Sequence, residues 1–212
     1  MQLRTIFMAV DFEAEEVFKR HNYALVNSEP FQVWQNDVSR LIITGIGLVP
    51  AATAFAWAAS KFDFDEAINI GPAGASSAVK CIVQEYDEEA RFDIIRGDQD
   101  KNKDELVFAN AYEVSVVSSI EPYNDFVFEL SQGGRKLATS SRPVSTRKQR
   151  DEAAAKGDLV DMEGYALAMS AKVFSKRLSI IKIVSDFSEQ CDIHRNILSL
   201  QRRLANIKGV FD

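Results

Sequence analysis

Cysteine and histidine are both scarce in this chain of 212 residues, with two of each. Cys81 and Cys191 lie far apart and form no CxxC pair, so a disulfide framework is excluded as the organising device and free thiols in a reducing compartment are expected. His21 and His194 are too few for a histidine-rich metal site, and they leave a Ser-His-Asp triad poorly supplied. No apolar run is long enough to cross a bilayer. The opening stretch "MQLRTIFMAVDFEAEE" carries a single basic residue and turns acidic where a signal peptide would place its cleavage region. A soluble, cytoplasmic protein with no membrane partner is therefore expected. Excess positive charge is also missing. A formal net charge of −6 argues against sequence-independent binding to nucleic acid, which needs a concentrated basic face. The local exception, "RPVSTRKQR" at 142–150, reads as a solvated helix start rather than a polyanion site. There is no Walker loop, and "GIG" at 45–47 lacks the third glycine and downstream acid of a dinucleotide fingerprint.

Apolar residues are plentiful, at 46% against 26% charged, enough for one domain over residues 1–212 with a substantial core. "LRTIFMAV" (3–10) has the branched and aromatic content of a buried strand, and "DFEAEEVFKRH" after it suits a helix. "FQVWQND" (31–37) and "SRLIITG" (39–45) predict a strand pair joined by a tight Asn-Asp turn. "GIGLVPAATAFAWAASKF" (45–62) predicts a glycine-bearing loop running into an alanine-rich helix, with Pro50 tolerated in its first turn. "EAINIGPAGASS" (66–77) predicts a buried strand ending abruptly in a Gly-Pro-Ala-Gly loop. Further strands are expected at 79–84, 89–95, 113–118 and 135–140, with a solvated loop at 97–105. "RLSIIKIVSDFS" (177–188) predicts a continuous apolar strand stopping at Ser185-Asp186, and 192–211 a closing helix with Ile193, Ile197, Leu200 and Leu204 at helical spacing. Alternating strands and helices, with several strands apolar throughout, indicate a mixed or parallel sheet covered on both faces, an α/β sandwich. Ligands of such sheets gather at strand ends.

Three such ends carry chemistry-bearing residues. Glu163 in "DLVDMEGYALAMSAK" (158–172) has two readings. It is a first-turn acid favoured by the helix dipole, or a carboxylate able to accept hydrogen bonds from the paired hydroxyls of a ribose, with Met162 as an apolar contact. Asp186 also has two. It caps a following helix, or it is a poorly solvated acid held protonated and able to donate to a leaving group. Among Asp11, Glu13, Glu15 and Glu16, at most one points into a cleft. Gly71 and Gly74 allow a close backbone approach and equally serve ordinary turns.

Together "FMAVDFEAE", "LIITGIGLVPAATA", "AINIGPAGA", "LATSSRPVS", "LVDMEGYALA" and "IIKIVSDFS" resemble the nucleoside phosphorylase and nucleosidase superfamily. The nearest branch is hydrolytic: the methylthioadenosine/S-adenosylhomocysteine nucleosidases and the related futalosine-type hydrolases. The specific part is "VDMEGYALA" followed about twenty residues later by a strand ending in "VSD"; the glycine stretches only support it. The resemblance implies a three-layer α/β/α sandwich with a twisted mixed central sheet. It also implies a purine nucleoside substrate, no cofactor, no metal and a homodimer. Carried over by position, Glu13 activates the water, Glu163 binds the ribose 2′- and 3′-hydroxyls, and Met162 packs on the sugar. Asp186 protonates the base with Ser185 beside it, Pro143 and Val144 hold the base, and Gly71 to Gly74 line the ribose and water side. Asn69 stands where phosphorylases of the superfamily carry a phosphate-binding arginine and nucleosidases an asparagine. The sequence departs from the pattern at Pro72, where a small hydroxyl residue is usual, and at Lys182, where an arginine is usual. It departs again at Pro143, where an aromatic stacking residue is usual. Phosphorolysis with Lys182 recruiting phosphate, and a binding protein without turnover, are the alternatives these departures leave open.

Overall fold

The computed structural model describes residues 2–75, 108–116, 127–130, 134–186, 193–207 and 209–211. The strands expected at 79–84 and 89–95 and the loop expected at 97–105 lie outside these.

β1 (Arg4–Met8) follows from the apolar run "TIFM", and its alternation sets up two layers. Ile6 and Met8 join a core with Ala14 and Val17 of α1 (Asp11–Arg20) and Leu200 and Leu204 of α5 (Ile193–Leu204). Phe7 joins the opposite core with Phe55 of α2 (Leu48–Lys61) and Leu167 of α4 (Gly164–Val173). The Phe7 and Phe55 rings stack at 5.1 Å. Burying side chains of this size contributes about 1.5–3 kcal/mol each. The period-2 side-chain pattern of the strand therefore puts one helix pair on each face. The small residues of α4 serve close packing: Ala166, Ala168 and Ala171 are buried, as are Ala51, Ala54 and Ala58 of the adjoining α2. A fifth helix, α3 (Arg147–Ala154), starts with a capping box between Thr146 and Gln149, as the basic run 142–150 suggested.

Ten strands form one mixed sheet among the described residues. β1 lies parallel between β4 (Ser39–Ile43) and β5 (Glu66–Ala75). β3 (Val33–Gln35) pairs antiparallel with β4, through the expected turn. There Asn36 Oδ1 accepts the backbone N–H groups of Val38 and Ser39 at 3.0 and 2.8 Å. β2 (Ala24–Asn27) adds the edge strand. The sequence reading missed it because its side chains are mostly exposed and carry no core pattern.

On the other side the sheet closes. β10 (Arg177–Asp186) pairs parallel with β5 and antiparallel with β6 (Phe108–Val116). β6 pairs with β8 (Arg135–Thr139), β8 with β9 (Leu159–Asp161), and β9 antiparallel with the end of β5. The five strands make a ring, with the short β7 (Phe128–Glu129) on β6. This corrects the expectation of a Gly-Pro-Ala-Gly loop. Residues 71–74 remain strand, paired with β10 from Gly71 opposite Lys182 to Gly74 opposite Asp186, with a register shift between Val184 and Asp186. Pro72 is tolerated because the other flank of β5 is open between its last pair with β1, at Asn69, and its first with β9, at Gly74. A residue without an N–H fits where a strand lacks a neighbour. No described helix is long and apolar enough to cross a membrane.

Candidate active site

A cavity of about 290 Å³ opens where the ring meets the β1–α1 and β4–α2 connections. Its lining includes all ten residues singled out in the sequence: Glu13, Gly71, Pro72, Pro143, Val144, Met162, Glu163, Lys182, Ser185 and Asp186. They come from five segments of the chain. α1 delivers Glu13 just after β1, β5 supplies Gly71 and Pro72, and the segment after β8 supplies Pro143 and Val144. The turn between β9 and α4 carries Met162 and Glu163, and β10 carries the other three.

Glu13 is 4% exposed, and its Oε2 has no hydrogen-bond partner among the described residues. Burial, aided by the neighbouring Glu163 carboxylate, lifts its pKa to about 8 against the opposing pull of Lys182. Glu163 is also buried, and desolvation followed by the Asp161 carboxylate raises its pKa. Its Oε1 accepts the Gly47 N–H at 2.8 Å, so this carboxylate sits at the N-terminus of α2 rather than capping its own helix. Gly47 holds that position with φ of 100°, in the region where glycine is the default residue.

The helix-start role falls instead to Asp161, which the sequence suggests is the ordinary acid of this cluster. Its Oδ2 accepts the Gly164 N–H at 2.8 Å, and its Oδ1 accepts the Thr139 hydroxyl at 2.7 Å. Lys182 Nζ lies 2.8 Å from Asp161 Oδ2, both side chains being 1% exposed. Lys182 is thus committed to a buried ion pair. The space above Gly71 is bounded by both charges. A Cβ there would lie 3.7 Å from Glu13 Oε2 and 3.8 Å from Lys182 Nζ.

At the other end, β10 runs through Ser185 and Asp186. The Ser185 hydroxyl donates to Asp186 Oδ2 at 2.7 Å, and Asn196 of α5 donates to the Ser185 carbonyl at 2.9 Å. Asn69 donates to the Phe7 carbonyl at 3.1 Å and faces the same cavity, as do Phe12, Ile46, Arg142, Val160 and Ile197. The apolar members gave no sequence signal, because core and lining residues share one composition. Asp161 could have been found by asking which acid would pair with a lysine inside an apolar strand.

The arrangement offers a buried base, a hydrogen-bonded carboxylate at a strand end and a third carboxylate held by a helix terminus, with apolar walls between. No family model matches the sequence, and no curated protein does. Solved structures do match in fold. One is a Helicobacter pylori methylthioadenosine nucleosidase mutant with 5′-methylthioadenosine in its active site, at TM-score 0.72 and 12% identity over 100% of this chain and 96% of that one. A second is the Neisseria meningitidis 5′-methylthioadenosine/S-adenosylhomocysteine nucleosidase in complex with methylthio-immucillin-A, at 0.70 and 17% over 97% and 94%. A third is a futalosine hydrolase mutant of Helicobacter pylori, at 0.71 and 12% over 100% and 96%. The chain has the fold of these nucleosidases along its whole length.

Proposed function

We propose that this chain is an N-ribosyl hydrolase that cleaves the bond between purine and ribose in a 5′-modified nucleoside, such as methylthioadenosine or S-adenosylhomocysteine, with water as the nucleophile. The observation that carries this reading is the convergence of Glu13, Met162, Glu163, Ser185 and Asp186 on one cavity, in a fold shared with nucleosidases.

As the base departs, positive charge develops on the ribose. Lys182 is paired with Asp161 and interacts with both Glu13 and Glu163, and the carboxylates that are ionised there stabilise a forming cation through preorganised charge. Asp186 delivers a proton to the purine, and the Ser185 hydroxyl bonded to it stabilises the carboxylate left behind. Glu163, fixed by Gly47, accepts from the ribose hydroxyls, while Met162 packs on the sugar and Pro143 and Val144 flank the base. Water fits above Gly71, within reach of the unpartnered Glu13 oxygen. A carboxylate titrating at about 8 is a stronger base toward that water than an ordinary glutamate. Every role in this scheme is carried by a side chain.

Two features favour water over phosphate. Asn69 brings no charge, and Lys182 is already paired with Asp161 and faces two further carboxylates that would repel a dianion. The purified protein incubated with 5′-methylthioadenosine should release adenine at the same rate with and without phosphate. No release from any 5′-modified adenosine, or formation of ribose 1-phosphate derivatives, would refute the proposal. Tight ligand binding with no turnover would identify a binding protein instead.

A further inference from the structure

We infer that Asp161 is a positioning residue of this site: by gripping Lys182 it holds the ammonium between Glu13 and Glu163 without letting it close on either. The inference deepens the hydrolase reading and rests on it for the roles of those two carboxylates.

Asp161 is held at both of its carboxylate oxygens. Thr139 and Gly164 hold its two oxygens at 2.7 and 2.8 Å, and Thr139 is itself fixed by the Tyr165 N–H at 2.8 Å. Strand β8, strand β9 and helix α4 therefore meet at one carboxylate. Lys182 is the opposite case, a point charge on a flexible four-carbon stem. Its Nζ is 2.8 Å from Asp161 Oδ2, yet Nζ and Glu13 Oε2 both lie within 4 Å of one point above Gly71. Glu13 Oε2 has no described hydrogen-bond partner. It is the acceptor that a released lysine would take.

The groups acting on Glu13 are Glu163 from the β9–α4 turn, Lys182 from β10, and the backbone of Ala9 and Val10 between β1 and α1. Asp161 reaches Glu13 by way of Lys182. Freeing the lysine and deleting it should therefore move Glu13 in opposite directions. A merely structural role for Asp161 would leave Glu13 unmoved when the lysine is freed, and only the deletion would shift it.

The test is a carbon-13 NMR titration of labelled glutamate carboxyls in the ligand-free protein, with the Glu13 signal assigned by its loss in Glu13→Gln. In Asp161→Asn the freed ammonium should pair with Glu13 and lower its midpoint from about 8, by about one pH unit or more. In the double variant Asp161→Asn/Lys182→Met no cation remains, and the midpoint should rise above that of the wild type. Lys182→Arg, which keeps the charge, should stay close to wild type. Shifts in the same direction for the first two proteins, or no shift in Asp161→Asn whatever the double variant does, overturn the inference. Asp161→Ser, which retains an acceptor for Gly164, tests the same step should Asp161→Asn fail to fold. No substrate enters the titration, so the two readings fail separately. Opposite shifts without base release defeat only the hydrolase, and base release with parallel shifts defeats only the positioning role.

Discussion

Glu13 and Asp186 line one cavity and differ in what holds them. Glu13 is sunk beside another carboxylate, with one oxygen unpartnered, whereas Asp186 receives a hydroxyl from its own neighbour Ser185. The proposed roles make Glu13 the base toward water and Asp186 the donor toward the purine. Positioned acid or base catalysis is worth roughly 10²–10⁴-fold, about 3–5 kcal/mol of barrier. Asp186→Asn and Glu13→Gln should each lower the single-turnover rate of base release by about that factor, with unchanged far-ultraviolet circular dichroism. A loss under about tenfold in either variant would remove that residue from the chemistry. Glu13 was singled out from its acidic neighbours only by the family resemblance, but Asp186 was legible in the sequence as a carboxylate ending an apolar strand. Asp161 was not, since a hydrogen-bonded structural acid and a catalytic one look alike until their partners are seen. The Lys182–Asp161 pair needs β9 and β10 placed on one cavity, a fact that neither segment carries alone.

At the scale of the element, two glycines that look equivalent in sequence do different work. Gly157, just before β9, lies against β8. A Cβ there would come within 2.6 Å of the Ala138 nitrogen and 2.9 Å of the Lys136 oxygen, both backbone atoms that cannot yield. Gly71 within β5 has room for a methyl group at ordinary contact distance, but that methyl would fill the space between Glu13 and Lys182. Gly157→Ala should therefore cost about 1–3 kcal/mol of stability, the usual price of overpacking, measured by denaturant unfolding. Gly71→Ala should leave the unfolding midpoint near wild type and lower turnover. The reverse pattern would contradict this assignment. Elements with a strong period were readable in advance: β1, α1, α2, β10 and α5 follow their hydrophobic patterns. β5 through Gly71-Pro72-Ala73-Gly74 did not, because glycine and proline signal a turn locally. The pairing with β10 that keeps those residues extended comes from more than a hundred positions away in the chain.

For the molecule as a whole, the buried carboxylates set a dependence of stability on pH. Glu13 titrates at about 8 when folded against an ordinary value of 4.5, so between these values the folded state binds the proton more tightly than the unfolded chain. The stabilisation is complete below pH 4.5 and is lost as pH rises through 8. Glu163, raised for the same reason, adds to the trend. Melting temperatures of wild type and Glu13→Gln should therefore diverge across this window, the variant gaining relative to the wild type as pH increases. A difference that stays constant with pH would contradict the Glu13 shift.

The ring of strands bears on how such a protein comes into being. β5 leaves the ribosome long before β10, yet the two pair along nearly their whole length, from Glu66 with Arg177 to Gly74 with Asp186. Long-range pairings of this kind carry the loop-closure cost before any reward. A nascent chain that ends before Lys182 lacks that lysine, Ser185 and Asp186 from the lining of the cavity. The cavity is therefore completed only once β10 has been made and has docked on β5.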